Sequence, residues 1–405
     1  MQVYYLLCRA ERSLPMQSTG LPTILDDLSD EERECLLTKS ALRSLSDALA
    51  CVADPRSRHG QRYDLPFLLT CLVAALLCNC NSLEAVGQWC TEQRTLLRRV
   101  FGPRRHLTPT GSLYRWLLRR LSAGQLEWAL ASWIQGTRPR PDHEAVALDG
   151  KVLCGAAADT ERAPHLLSVT THQTHETLIQ VPVGAKTNEI PVAQELLGWL
   201  VLDHRVVTAD ALHCQTDFAQ AVLDQGADYL LCLKGNWPAQ YAAVVTYFED
   251  PAAITTEAST SERQKGRRER RCLRVSTELN GQLEGFPQLA QVVQIVRTVQ
   301  DKRGTHRDID YYVTSSHASA TDLLALIRGH WSIECQHWIR DVVFGEDRSR
   351  VRSGAAPRFL AALRNAILVL LHRIGRPAIS AARRHFAAHP SKALSLVQRP
   401  FPSLR

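Results

Sequence analysis

No stretch of this 405-residue sequence is both long and apolar enough to span a bilayer. The longest apolar run, "PFLLTCLVAALLCNC" at 66–80, is too short for a crossing and is edged by Cys and Asn, so it reads as a buried core helix. The N-terminal "MQVYYLLCRAERSLPMQ" has no apolar region followed by a small-residue cleavage site, which argues against secretion. Zinc-finger spacing is absent too. The twelve cysteines are scattered, and Cys71, Cys78, Cys80 and Cys90 sit in an apolar helical stretch with no histidines at ligand spacing. Free thiols in a reducing cytoplasm are expected, not a disulfide framework. There is no internal repeat, no phosphate-cradling P-loop and no serine nucleophile elbow. Charge of one sign is only mildly in excess: the net +7 comes mostly from Arg and permits a polyanionic partner without requiring one.

What remains is an ordinary globular composition, 45% hydrophobic and 22% charged, long enough for two or three domains. Residues 1–40, with the acidic run "DDLSDEERE", read as an N-terminal tail. Residues 41–140 read as an all-helical domain: "SALRSLSDALACV", "DLPFLLTCLVAALL", "SLEAVGQWCTEQRTLLRRVF", "TGSLYRWLLRRL" and "QLEWALASWIQ" repeat apolar residues at three- and four-residue spacings. The fourth segment carries Arg115, Arg119 and Arg120 on one edge, which suits either a DNA-facing helix or a solvated one.

From Glu144 the rhythm changes to strand, strand, strand, helix, strand, helix, strand, ending at "ADYLLCLKGN". That order predicts a mixed α/β sheet. Residues 236–317 interrupt it and read as a β-rich insertion with an Arg-rich patch at 263–274. A long helix is expected at about 321–344 and another at 357–373, with a loosely packed basic tail over 374–405. This second domain would thus cover 141–373.

Two aspartates end predicted strands: Asp149 in "VALDGKVL" and Asp210 in "VVTADALH". An aspartate there must be capped, paired or bound to a cation, because an unpaired buried carboxylate is costly. If the first and fourth strands are neighbours, both carboxylates leave the same sheet edge, and hard oxygen ligands held together suit Mg²⁺ or Mn²⁺. On a continuous helix through "HWSIECQHWIRD", His330, Glu334, His337 and Asp341 share one stripe, beside an apolar stripe of Leu324, Ile327, Trp331, Trp338 and Val342. Any amphipathic helix shows such a pattern. The alternative is that Glu334 reaches the sheet edge and joins Asp149 and Asp210 in holding two divalent ions for phosphoryl transfer. The element order is that of the ribonuclease H-like fold.

"ALDGKVLCGA", "AKTNEIPVAQELL", "VVTADALHCQ", "DYLLCLKGN" and "IRGHWSIECQHWIRDVVFGEDRSRVR", in this order, resemble the DDE transposases of bacterial insertion sequences, and more closely the ISAs-type group with its H-repeat-associated proteins. "ADPRSRHGQRYDLPFLLTCLVAALL" resembles the N-terminal domain that accompanies them, and the similarity runs from about residue 50 to 373. The resemblance implies a catalytic triad of Asp149, Asp210 and Glu334 and dependence on Mg²⁺ or Mn²⁺, two ions in all. It further implies recognition of terminal inverted repeats, cutting of the element's ends, joining of their 3′-hydroxyls to target DNA, and a homo-oligomer, a dimer in the DNA complex. A nucleoid-associated, cytoplasmic protein follows.

The sequence departs from the pattern in two places: "KGNW" ends in Trp237, and "IECQHW" is one residue shorter than the usual spacing, which turns the helix by about 100°. Ile327, His330 and Asp341 stand where broader relatives carry Tyr, Arg and Lys, so those DNA-gripping roles are not transferred. Lys234 is a candidate phosphate contact, and Arg267, Arg268, Arg270 and Arg271 are candidates to track a DNA backbone. On a strand, alternate residues of that patch would face opposite sides. No role is assigned to Lys186, Asn188 and Glu189 of "KTNEI"; His213 reads as a supporting residue of the site or a helix-start residue. The competing expectation is an impaired or domesticated relative that binds DNA or acts as a simple metal-dependent nuclease.

Overall fold

Four helices in the first third begin at a side-chain cap. Ser44, Ser82, Thr110 and Ser122 each accept a backbone N–H from the turn that follows, satisfying donors a helix start would otherwise leave open. The computed structural model describes residues 43–401 apart from 104–107, 139–143, 158–162, 185–188 and 265. The expected 1–40 tail, and Lys186 and Asn188, lie outside the described residues. Among the described residues six α-helices precede the sheet: α1 (Leu45–Leu49), α2 (Leu65–Leu77), α3 (Leu83–Glu92), α4 (Arg94–Phe101), α5 (Gly111–Leu118) and α6 (Ala123–Gly136). The run expected to be a single helix after Ser82 is two, divided at Gln93. The apolar run at 66–80 is α2, buried on nearly all sides.

The strands then follow in the expected order: β1 (Val146–Val152), β2 (His165–Thr171), β3 (Thr177–Val183), α7 (Glu189–Leu197), β4 (Val206–Ala209), α8 (Thr216–Asp224) and β5 (Asp228–Leu233). β1 pairs antiparallel with β2 and parallel with β4, and β4 parallel with β5. The spatial order β3-β2-β1-β4-β5 makes this a ribonuclease H-like mixed sheet.

The segment expected as an insertion opens with a helix, α9 (Pro238–Glu249), before β6 (Thr256–Gln264), β7 (Arg267–Ser276), β8 (Gln291–Asp301) and β9 (Gly304–Thr314). These strands do not form a separate body. β9 pairs antiparallel with β5, so the sheet continues as β5-β9-β8-β7-β6 to nine strands. The free edge of β5 is thereby covered, removing a row of unpaired backbone groups.

The long helix expected at 321–344 is broken. α10 (Ala320–His330) and α11 (Ser332–Val342) meet at Trp331. The end of α10 is pinned to β4, where His330 Nδ1 is hydrogen-bonded with Thr208 Oγ1 at 3.0 Å. Gly329 lies so close to His172 that a Cβ would sit 2.3 Å from its Nδ1. α11 instead lies over β1, where Asp341 takes an ion pair from Lys151 at 2.6 Å. The apolar stripe therefore does not survive the break: Leu324 and Ile327 are buried, but Trp331, Trp338 and Val342 are 53%, 60% and 58% exposed.

The C-terminal segment is also unlike the expectation. After α12 (Ala356–Arg373), residues form α13 (Ile379–Ala388) and α14 (Pro390–Gln398), which pack on α2 and α1 through Phe386, Leu394 and Val397. Arg383 is fully buried there and donates to Leu76 O at 2.8 Å and Asn81 Oδ1 at 2.6 Å, satisfying acceptors at the C-terminal end of α2. One hydrophobic core runs from Leu45 through the sheet to Val397.

Candidate active site

Parallel pairing of β1 and β4 matches Val146 with Val207 and Leu148 with Ala209. The next residues are Asp149 and Asp210, so the two aspartates stand side by side on adjacent strands. Each spends one carboxylate oxygen on local backbone. Asp149 Oδ1 accepts the Gly150 N–H at 2.8 Å, and Asp210 Oδ1 accepts the Leu212 and His213 N–H groups at 3.0 and 3.4 Å. Those bonds fix both side chains without neutralising them. Among the described residues neither has a lysine or arginine partner. His337 Nδ1 lies 3.6 Å from Asp149 Oδ2, but burial pushes its ring down to about 3, so it stands there neutral.

Glu334 lies in the first turn of α11, solvent-exposed and with no hydrogen bond or ion pair among the described residues; partial burial raises its carboxyl. Its charge nevertheless reaches Asp149. Burial pushes the Asp149 carboxyl up to about 7; the Gly150 hydrogen bond pulls the other way, and the negative charges of Asp210, Glu189 and Glu334 add to the rise. Acids that repel one another in this way favour binding of a cation. As the side chains stand, no three His, Cys, Asp or Glu residues among those described are close enough together to hold a metal ion. The donor chemistry fits one all the same: hard carboxylate oxygens with excess negative charge are what Mg²⁺ or Mn²⁺ binds.

A fourth acid adjoins them. Glu189, the first residue of α7, meets His165 Nε2 at 2.8 Å and His213 Nε2 at 3.1 Å. Burial would raise its carboxyl, but the His213 hydrogen bond and the His165 charge outweigh that and hold it below its usual range. This cluster packs against Gly150: a Cβ there would sit 2.5 Å from Glu189 Oε1 and 2.7 Å from His165 Nε2. The "DGK" glycine is thus required for close approach. His213, 1% exposed, supports the site edge from beneath. The sequence carried a signal for Glu189, its place at a helix start in "KTNEI", but none for His165, which β2 brings in from across the sheet.

The remaining candidates separate. Lys234, at the end of β5, is exposed on the same strand-end side as Asp210 and makes no ion pair among the described residues. Arg115 is exposed and paired with Glu84; Arg119 is exposed at the end of α5. Arg267 and Arg271 both bind Glu269, whereas Arg268 and Arg270 are exposed and unpaired among the described residues. The polar residues flanking Glu334 divide likewise: His330 goes to β4, His337 to Asp149 and Asp341 to Lys151.

With this geometry in view, the chain matches two family models: the transposase DDE domain over residues 141–370, and the DDE-domain-associated region over 46–134. Among relatives, "Putative transposase YncI" of Escherichia coli O157:H7 is 28% identical over 347 residues, 82% of this chain and 88% of that protein. "H repeat-associated putative transposase YhhI" of Escherichia coli K12 is 24% identical over 344 residues, 82% of this chain and 90% of that one. A solved chain of the piggyBac transposase synaptic complex with hairpin DNA shares 10% identity, with 93% of this chain and 78% of that one covered and a TM-score of 0.45.

Proposed function

The chain belongs to the transposase DDE domain family, whose model spans more than half of it, and is a DDE transposase; from that premise we propose that Asp149, Asp210 and Glu334 are its catalytic carboxylates. We read the substrate as the terminal inverted repeats of an insertion sequence, whose strands are cut and whose 3′-hydroxyls are joined to target DNA. The observation that supports this best is the β1–β4 register, which sets Asp149 beside Asp210, with the charge of Glu334 adding to the rise of the Asp149 carboxyl.

The family implies a divalent cation. The three carboxylates would hold Mg²⁺ or Mn²⁺, two ions in our reading, which when bound activate the attacking hydroxyl and stabilise the leaving oxygen. The protein's own contribution is placement. The backbone N–H groups of Gly150, Leu212 and His213 fix two carboxylates at the sheet edge. The Lys151–Asp341 pair ties α11 to β1 and so positions Glu334, while neutral His337 leaves the negative charge uncompensated. We read Lys234 as a phosphate contact from the same edge.

In this reading residues 41–140 form a DNA-associated helical domain with Arg115 and Arg119 facing the duplex, and 141–373 the catalytic domain. The active species is a homo-oligomer, a dimer on DNA, working on nucleoid DNA in the cytoplasm. Among the described residues no helix is long and apolar enough to cross a membrane. The test is a cleavage and strand-transfer assay on DNA carrying the element's ends. Mn²⁺-dependent nicking that disappears in Asp210→Ala supports an enzyme; joining of a pre-cut end separates a transposase from a simple nuclease. Nicking that persists in Asp210→Ala overturns the assignment.

A further inference from the structure

The far end of the sheet sorts its arginines by face. Directly paired residues on neighbouring strands share a face. On one face, continuous with Leu273 and Val275 under α10, lie Arg267, Arg271, Arg297, Glu262, Glu269 and Asp308. Here the charges cancel. Glu269 meets Arg271 at 2.6 Å, Arg297 at 2.5 Å and Arg267 at 3.0 Å; Glu262 takes Arg328; Asp308 takes Arg297 at 3.4 Å.

The other face is built differently. Arg263 pairs in register with Arg268, Arg270 with Ser261 and Thr298, and Thr298 with Arg307. All four arginines are exposed, and among the described residues none has an ion pair or a side-chain hydrogen bond. No acid lies among their in-register neighbours on this face, which besides one another are Ser261, Thr298 and Gln300. Two arginines directly opposite each other, as at Arg263 and Arg268, destabilise a strand pair unless an anion lies over them. α9 covers this face only nearer β5, where Tyr241 and Phe248 pack on Tyr311.

Resting on the reading of DNA as substrate, we propose that Arg263, Arg268, Arg270 and Arg307 form a track for the phosphate backbone of duplex DNA, and that Arg267 and Arg271 take no part in it. Exposed cations interleaved with hydroxyl and amide side chains suit phosphate oxygens. The face carries no aromatic ring among these residues, which disfavours single strands, whose bases stack on such rings. Five strand steps separate β7 from β1, on the order of 24 Å at about 4.8 Å each. Along the strands Arg268 and Arg270 lie five to seven residues from Val275, the residue level with Asp149, on the order of 20 Å more. At about 3.4 Å per base pair, the contact falls roughly nine base pairs from the cut.

The experiment is fluorescence anisotropy with a fluorescein-labelled random-sequence duplex and the full chain, at several salt concentrations. Arg268→Gln/Arg270→Gln should bind roughly tenfold more weakly and lower the slope of log affinity against log salt by about 0.9 for each lost contact. Arg268→Lys/Arg270→Lys should retain most of the affinity. Arg267→Gln/Arg271→Gln should match the unaltered chain, and a melting curve for each variant separates lost binding from lost folding. If the unaltered chain binds duplex and the Arg268/Arg270 variant binds as well with the same slope, the track is refuted while DNA remains the substrate. Preference for a single-stranded probe refutes it too. If the unaltered chain binds no DNA at all, the functional reading and the track fall together.

Discussion

Acids at the sheet edge and acids in the interior joints are treated in opposite ways. Glu346, buried between α11 and α12, is gripped by Arg340 at 2.7 Å and Arg364 at 2.8 Å, and these arginines, against the burial that would raise it, hold its carboxyl down at about 2. Glu127 is held by Arg358, and Glu176 by Arg373 at 2.7 Å, where helices and sheet meet. Asp149, Asp210 and Glu334 have no such partner among the described residues, and Asp149 is driven up to about 7. This chain has arginines to spare, and among the described residues none pairs with an acid of the edge. The edge is thus kept short of positive charge at a cost in stability, which a bound cation would offset.

The comparison breaks first at activity. Asp149→Ala, Asp210→Ala or Glu334→Ala should each lower strand cleavage about a thousandfold, some 4 kcal/mol of barrier, with the fold intact by circular dichroism. Full activity in any of the three would remove that residue from the site. Second, Glu346→Leu leaves Arg340 and Arg364 unpaired inside the protein and should cost about 3–5 kcal/mol in denaturant unfolding, while the folded fraction keeps its cleavage rate. Because the Glu346 carboxyl sits at about 2 in the folded chain against an ordinary 4.5, the stability it contributes is complete above about 4.5 and drains away as pH falls toward 2. An acid titration of unfolding should show that loss, and the Leu variant should lack it.

Third, Asp149→Asn should stabilise the metal-free chain. A carboxyl raised from 3.8 to about 7 resists ionisation, so the native state loses stability as pH rises through that window. The gain should be about 1–2 kcal/mol above pH 7, discounted from about 1.36 kcal/mol per pH unit for partial exposure, and should vanish below pH 4. A melting-temperature difference independent of pH would contradict the charge argument. The smallest effect is Lys151→Met, which frees α11 from β1 without touching the carboxylates; cleavage should weaken modestly while metal-free stability changes little.

The sheet was readable because strands and helices alternate, and Asp149 and Asp210 were readable because each ends an apolar strand. Glu334 is singled out by its motif, since helical spacing alone does not distinguish it from any amphipathic position. What spacing missed came from contacts between distant segments. The periodicity runs unbroken through Trp331, but the His330–Thr208 bond and the Lys151–Asp341 pair send the two halves to different strands, leaving Trp331 and Trp338 in solvent. Alternation along a strand divides the arginines at 267–271 between two faces; only the β6–β7–β8 register decides which of them meet Glu262 and Glu269. The C-terminal residues looked loose because Pro, Arg and His dominate them, yet Arg383 is buried with acceptors from α2 around it.

The most direct test of the shared site is a titration of Mn²⁺ into the full chain, with free ion followed by electron paramagnetic resonance. Binding should be tight in the unaltered protein and lost singly in Asp149→Asn, Asp210→Asn and Glu334→Gln, all of which remain folded. Undiminished Mn²⁺ binding in Glu334→Gln would show that α11 does not contribute to the metal site and would contradict the account.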